Sequence, residues 1–259
     1  MFLAKVKEKS IAMTKKAWRC LTFGIFFIML MTLSIGVVYA DPCELPQFDS
    51  DNFHDPLIID NPYFPLEPVT IFVYEPRPNE ENVINTITVT YETKEILGVD
   101  CIVVYDVEEV DGVVTEETYD WYAQDDEGNI WYFGEDTKEC LCDDDCESPE
   151  CVDTTGSWMA GEGGALPGYL ILAPEPKHGA CYQQEFAEDA QDRAKVLRLN
   201  AKVSIDYGYF EDCLKTKEWT PLAPGVIEQK YYKPGVGLVL IKELKGKTVR
   251  VALISIDHF

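Results

Sequence analysis

From residue 69 onward the apolar residues of this chain recur at every second position, and that period limits the fold more than any other feature. Ile87, Val89 and Tyr91 alternate with Thr86, Thr88 and Thr90. Such alternation gives a strand one buried and one polar face. Val69-Thr70-Ile71-Phe72-Val73-Tyr74 reads as a strand as well. Cys101, Val103, Tyr105 and Val107 continue the theme after the Leu97-Gly98 break. Asp111-Gly112 and Asp125-Asp126-Glu127-Gly128-Asn129 are hairpin turn signals, leading into strands at 118–122 and 130–133. Further strands are expected near 169–172, 181–186, 195–199, 202–205, 213–219, 227–232, 237–244 and 248–256, with Lys245-Gly246-Lys247 turning the last hairpin. The only helical signal is a short helix over 186–195, FAEDAQDRAK. No internal repeat is present. The expected fold is all-β: a curved antiparallel sheet or open β-barrel that buries one face of many amphipathic strands, with a long cysteine-rich loop.

The first forty residues read as an address. Lys5, Lys7, Lys9, Lys15, Lys16 and Arg19 make a basic start, and the 21 residues from Cys20 to Ala40 carry no charge. Val38-Tyr39-Ala40 suits signal peptidase, so cleavage is predicted after Ala40. The alternative is an uncleaved N-terminal anchor, because the run has the length of one membrane span. Only in that case is a membrane a partner. The basic flank precedes the run, so both readings export the rest of the chain. The expected place is periplasmic, extracellular or at the cell surface. Ala40-Asp41-Pro42 lacks the small residue that lipidation needs just before Cys43. Residues 41–68 read as an irregular, Pro- and Asp-rich lead-in with Tyr63 and Phe64 as packed anchors. Residues 69–259 read as a single β domain with an acidic, Cys-rich insert at 136–168.

Charge excludes one class of partner. The 259 residues carry 46 acids and 22 bases, a net −24. Six of the bases and one of the acids precede residue 41, so the remainder carries 16 and 45, a net −29. Such a chain repels phosphate backbones, and nucleic acid is not expected as a partner. The charge is uneven. Residues 106–153 hold 19 acids and one base, Lys138, whereas 194–259 hold 11 bases and seven acids. The acidic stretch reads as a solvated face, or as a site for cations or a basic protein surface.

Eight of the nine cysteines follow the N-terminal segment: Cys43, Cys101, Cys140, Cys142, Cys146, Cys151, Cys181 and Cys213. An even number in an exported chain makes all eight disulfide candidates. The spacing from Cys140 to Cys151, C-x-C-x3-C-x4-C, is a poor zinc signature. Disulfides stapling a long loop are the simpler reading. Cys101 and Cys213 sit in candidate strands, either bridged to each other or as two buried thiols; Cys43 and Cys181 remain as a pair. Asp143, Asp144, Asp145 and Glu147 are oxygen ligands for a Ca²⁺ hypothesis, although the segment lacks EF-hand spacing. No other cofactor is expected.

Tyr119, Trp121, Tyr122, Trp131, Tyr132 and Phe133 cluster on two adjacent strands with Asp120 and Glu135. Aromatic residues beside paired carboxylates bind or cleave sugars. On a hairpin the same pattern is half core and half cross-strand pairs. His54, His178 and His258 adjoin no nucleophile motif, and neither G-x-S-x-G nor H-E-x-x-H occurs. Gly246-Lys247-Thr248 mimics the tail of a phosphate loop, but position 241, where the motif needs Gly, is Ile.

Four strings carry a resemblance: NPYFPL (61–66), ETYDWYAQDDEGNIWYFGEDTKE (117–139), YGYFEDCLKTKEWTPLAPGV (207–226) and KYYKPGVGLVL (230–240). In order and spacing the chain resembles a family of exported bacterial proteins of unknown function over most of 58–244. The last string is also similar to a motif of extracytoplasmic open barrels that carry lipoproteins. The resemblance implies a β-sheet fold and no transferable site residue. It does not extend to the cysteine-rich insert 140–151 or to the terminal hairpin 245–257. The expected function is an exported, non-enzymatic protein that binds a lipid or other hydrophobic small molecule, or a partner. The alternatives are a structural or cation-binding module acting through the acidic loop, and a hydrolase using Asp120 and Glu135.

Overall fold

The computed structural model describes residues 43–78, 82–142, 148–244 and 250–258. The N-terminal address and its cleavage point therefore lie outside the described residues, as do Cys146 and the Ca²⁺ candidates Asp143, Asp144, Asp145 and Glu147.

The alternating segments form strands β1 (Thr70–Arg77), β2 (Val83–Ile96), β3 (Val99–Val110), β4 (Val113–Gln124) and β5 (Ile130–Cys140). Shorter strands follow: β6 (Val152–Asp153), β7 (Trp158–Met159), β8 (Leu166–Ile171), β9 (Cys181–Gln183) and β10 (Glu185–Phe186). The chain then runs through β11 (Arg193–Ile205), β12 (Gly208–Trp219), β13 (Glu228–Lys233), β14 (Gly237–Glu243) and β15 (Arg250–His258). Among the described residues the helical content is two 3-10 turns, Ser50–Asn52 and Pro149–Cys151. The fold is all-β, as the period-two pattern requires.

One sheet holds every strand, in the order β10-β8-β5-β4-β3-β2-β1-β15-β14-β13-β12-β11-β9, with β6 and β7 also on β5. All strand pairs are antiparallel. The terminal strands β9 and β10 are consecutive in the chain, with only Gln184 between them. A single segment, 181–186, thus belongs to both ends of the sheet and draws it into a nearly closed barrel with one seam. Closure requires tight contact at Gly168 of β8. A Cβ there would lie 2.5 Å from the carbonyl oxygen of Gln183, so only glycine lets the seam close.

The expected helix over 186–195 does not form. The Ala187 N–H bonds the Ala190 carbonyl in a turn, and Arg193, Ala194 and Lys195 pair with Gln183, Tyr182 and Cys181. Ladder bonds to the seam outweigh a weak local helix preference.

The lead-in straps one end of the barrel. Phe48 and Phe53 pack against Trp131 and Phe133 on the outer side of β5, with ring centroids 5.7–5.9 Å apart. Asn61 then crosses the rim. Its side-chain amide donates to the carbonyls of Gly128 (2.7 Å) and Leu172 (3.0 Å). Further on, the Gly235 N–H donates to the Pro62 carbonyl at 2.7 Å, and Phe64 meets the ring of Tyr122 at 5.4 Å. The NPYFPL string is therefore a strap from the β4–β5 turn to the β13–β14 turn. The Cys43–Cys181 disulfide and a bridge from Glu44 to Tyr182 fasten its beginning to the seam.

Candidate functional site

Pairing register assigns the polar residues of β4 and β5 to one face. Thr118 opposes Thr137, Asp120 opposes Glu135, and Tyr122 opposes Tyr132. A bulge at Phe133 separates the Trp121–Gly134 and Tyr122–Tyr132 pairs and keeps both tyrosines on the carboxylate face. Gly134 sits at φ 138°, where a Cβ would meet the Trp158 carbonyl oxygen at 2.3 Å. Glycine is what lets β7 lie against β5 and bring Trp158 beside Glu135, its register partner.

These residues line the barrel interior. Asp120 accepts a 2.6 Å hydrogen bond from the Tyr132 hydroxyl, and Tyr122 donates to it as well. Thr137 donates to Glu135 Oε2 at 3.1 Å. The rings of Tyr122 and Tyr132 stack at 5.0 Å, and Trp158 stands edge-on to Tyr132 at 5.4 Å. Glu185, in β10 at the seam, joins the group, and its charge acts on Glu135. Glu135 and Glu185 are 3% and 2% exposed. Three atoms here, Glu135 Oε1, Glu185 Oε2 and Trp158 Nε1, are buried without a hydrogen-bond partner.

Burial pushes Asp120 up to about 6, against the pull of the Tyr132 hydrogen bond. Burial, and then the neighbouring Asp120 and Glu185, hold Glu135 well above the usual carboxylate range. Burial reinforced by Asp192 pushes Glu185 up to about 8. Asp106 of β3, bonded by the Asn85 amide, is raised first by burial and then by Asp120. Carboxyls crowded into a low-dielectric interior hold protons because no two neighbours can ionise cheaply.

Around the barrel the polar belt continues with a compensated pair. Lys230 Nζ lies 2.7 Å from Glu218 and 3.9 Å from Glu228. Glu218 also accepts from Thr216 (2.7 Å) and Tyr232 (3.2 Å). Burial alone would raise Glu218, but the Lys230 ammonium overrides it and holds this carboxylate below its usual value. Tyr74 of β1 reaches past β15 to donate to the Leu238 carbonyl at 2.9 Å.

The structure divides the predicted aromatic cluster between two faces. Tyr122 and Tyr132 stand inside with Asp120 and Glu135. Trp121, Trp131 and Phe133 lie on the outer side. Trp121 sits under the Lys94 ammonium at 3.5 Å, and Trp131 donates to Asp125 at 2.8 Å. Tyr119 is outside and stacks on Tyr105 at 4.7 Å. Among the described residues no group of three or more His, Cys, Asp or Glu is placed to hold a metal ion.

The disulfide candidates separate as well. Cys43 bonds Cys181, Cys142 bonds Cys151, and Cys140 is also disulfide-bonded. Cys101 and Cys213 are instead buried free thiols. They sit on β3 and β12, with five strands between them in the sheet, too far for a bridge. Burial raises both thiols and leaves them unreactive at neutral pH.

Sequence reasoning did not single out Glu185, Trp158, Glu218, Lys230 or Asp106. An acid inside an apolar-aromatic strand, as in CYQQEF, was the available signal for Glu185. For the others, alternation alone reads as a solvent face.

No family model matches this chain, and no curated protein matches it. Two solved structures are similar to it. One is a "putative lipoprotein" from Parabacteroides distasonis, at 11% identity and TM-score 0.44, covering 75% of this chain and 98% of that one. The other is a "putative exported protein with YmcC-like fold" from Bacteroides fragilis, at 13% identity and TM-score 0.44, with the same coverage of 75% and 98%.

Proposed function

We propose that this protein is an exported, non-enzymatic binding barrel whose interior takes a small molecule at the Asp120–Glu135–Glu185 cluster. One observation carries the reading: Glu135 Oε1, Glu185 Oε2 and Trp158 Nε1 are buried with no hydrogen-bond partner among the described residues, and Trp158 is the register partner of Glu135. Leaving such groups unmet costs about 1–3 kcal/mol each, and a binding site is where a fold accepts that cost. The ligand therefore has a polar head as well as the hydrophobic body expected from a curved sheet. Export is supported by the basic-then-apolar N-terminal segment and by disulfides, which persist in oxidising compartments. Native mass spectrometry of protein purified from its own host tests the binding. A copurified small molecule that Glu135→Gln loses is the expected result, and a clean apo mass overturns it.

A second reading is a glycoside hydrolase. Its support is the direct opposition of Asp120 and Glu135, with Asp120 lifted to about 6 and Glu135 held well above the usual carboxylate range by burial. Hydrolysis of a glycoside panel that is unaffected by Asp120→Asn and Glu135→Gln removes it. The acidic loop at 143–147 stays a proposal for cations or a basic protein surface. Calorimetry with millimolar Ca²⁺ tests it, and no heat removes it.

A further inference from the structure

We infer that the interior site takes an organic ammonium ion, held between Asp120, Glu135 and Glu185 against the rings of Tyr132 and Trp158. This rests on the binding reading above and adds the charge and chemistry of the ligand.

Charge balance comes first. Lys230 lies in the interior belt and is already engaged by Glu218 at 2.7 Å and Glu228 at 3.9 Å. Asp120, Glu135 and Glu185 make no ion pair with a described Lys or Arg side chain, and Lys230 acts on Glu185 only from longer range. Three carboxyls therefore share one interior region with no described base in contact with any of them.

The unpartnered atoms give the second, independent observation. Glu135 Oε1 and Glu185 Oε2 are acceptors once ionised, and both are buried in side chains at most 3% exposed. An ammonium group brings up to three N–H donors and a positive charge, which is what two ionised carboxylates lack. The Trp158 indole N–H, also unpartnered, adds one donor for an oxygen on the same ligand.

Geometry then separates an organic cation from a metal. No three carboxylates among the described residues converge as metal coordination demands. A positive group on an organic body can meet acids spread over β4, β5 and β10. The perpendicular Tyr132 and Trp158 rings, 5.4 Å apart, form an aromatic corner for that body, and their faces attract cations.

The groups facing or acting on the site are Asp106 from β3, Glu116, Asp120 and Tyr122 from β4, and Tyr132, Glu135 and Thr137 from β5. Trp158 comes from β7 and Glu185 from β10, with Asp192 and Lys230 acting on Glu185. Burial and the neighbouring Asp120 and Glu185 favour the protonated form of Glu135, and a bound ammonium favours the ionised form. Binding is therefore expected to release protons to solvent.

Benzylamine, benzyl alcohol and benzoate are matched in shape and differ in charge. Each is titrated near pH 7 into the purified protein, and the indole N–H resonance of Trp158 is followed by NMR after assignment with Trp158→Phe. Benzylamine is expected to bind at least about tenfold more tightly than the other two. Calorimetry in buffers of different ionisation heat is expected to show proton release. Glu135→Gln keeps the shape of the protonated acid, and is expected to weaken benzylamine about tenfold with the melting temperature retained. Tighter or equal binding of benzyl alcohol or benzoate overturns the charge assignment and leaves the binding reading standing. Benzylamine affinity unchanged in both Glu135→Gln and Glu185→Gln also overturns it. No Trp158 shift with any of the three overturns the assignment and the binding reading together.

Discussion

Asp120 and Glu135 stand directly opposite each other on β4 and β5, both buried on the inner face of the barrel. Like charges in such a pair destabilise a sheet. The pair persists because Tyr132 and Tyr122 donate to Asp120, leaving Glu135 to keep its proton.

The fold is therefore expected to be more stable in mild acid than in alkali. Asp120, Glu135 and Glu185 have raised pKa values, so the folded chain holds protons that the unfolded chain releases. Their contribution is complete below the unfolded value of about 4 and falls away as pH rises through about 6 for Asp120 and about 8 for Glu185. Glu218, held low by Lys230, works in the opposite direction and sets the acid limit. Thermal melts from pH 5 to pH 9 should show a falling Tm, with the slope flattened in Glu185→Gln. A Tm that climbs over that range contradicts the account.

Tyr132→Phe removes the 2.6 Å donor to Asp120. The expected results are a loss of about 1–3 kcal/mol and an Asp120 pKa above its value in the parent protein. Urea denaturation and carboxyl NMR titration read the two effects. An unchanged titration would mean that Tyr122 alone sets this carboxyl.

Lys230→Met leaves Glu218 and Glu228 facing each other without their base. Breaking a buried pair in this way costs about 3–5 kcal/mol. Adding Glu218→Gln should restore a large part, because the uncompensated charge goes with it. A double variant as unstable as the single one would assign the loss to packing.

Gly168→Ala places a methyl group against the Gln183 and Gln184 backbone. The seam is expected to loosen while β1–β5 hold. Hydrogen exchange should quicken at 181–186 and 166–171 and stay unchanged at the β3–β4 ladder. Uniform exchange across the sheet would refute a local seam.

Much of the fold was legible in the residues. Thr86 to Tyr91 fell within β2, and the Asp111-Gly112 turn joins β3 to β4. Period two depends on only local backbone geometry, so the strands and their antiparallel order could be read directly. The segment 186–195 could not, because its fate depends on ladder bonds to Cys181, Tyr182 and Gln183. Asp120 and Glu135 were noticed from their aromatic neighbours, whereas Glu185 entered the site only through closure of the sheet.

By itself the sequence determined the alternation: which side chains share a face, and that the chain is a sheet. It could not say which face is enclosed. On β4 the more apolar set, with Trp121 and Ala123, lies on the outer side, while Thr118, Asp120 and Tyr122 face inward. Local alternation is the same in both cases. The choice came from long-range contacts: the lead-in covers the outer aromatics of β5, and the seam at 181–186 rolls the polar face inside. Tertiary closure thereby turned an ordinary-looking polar strand face into a buried cluster of carboxyls.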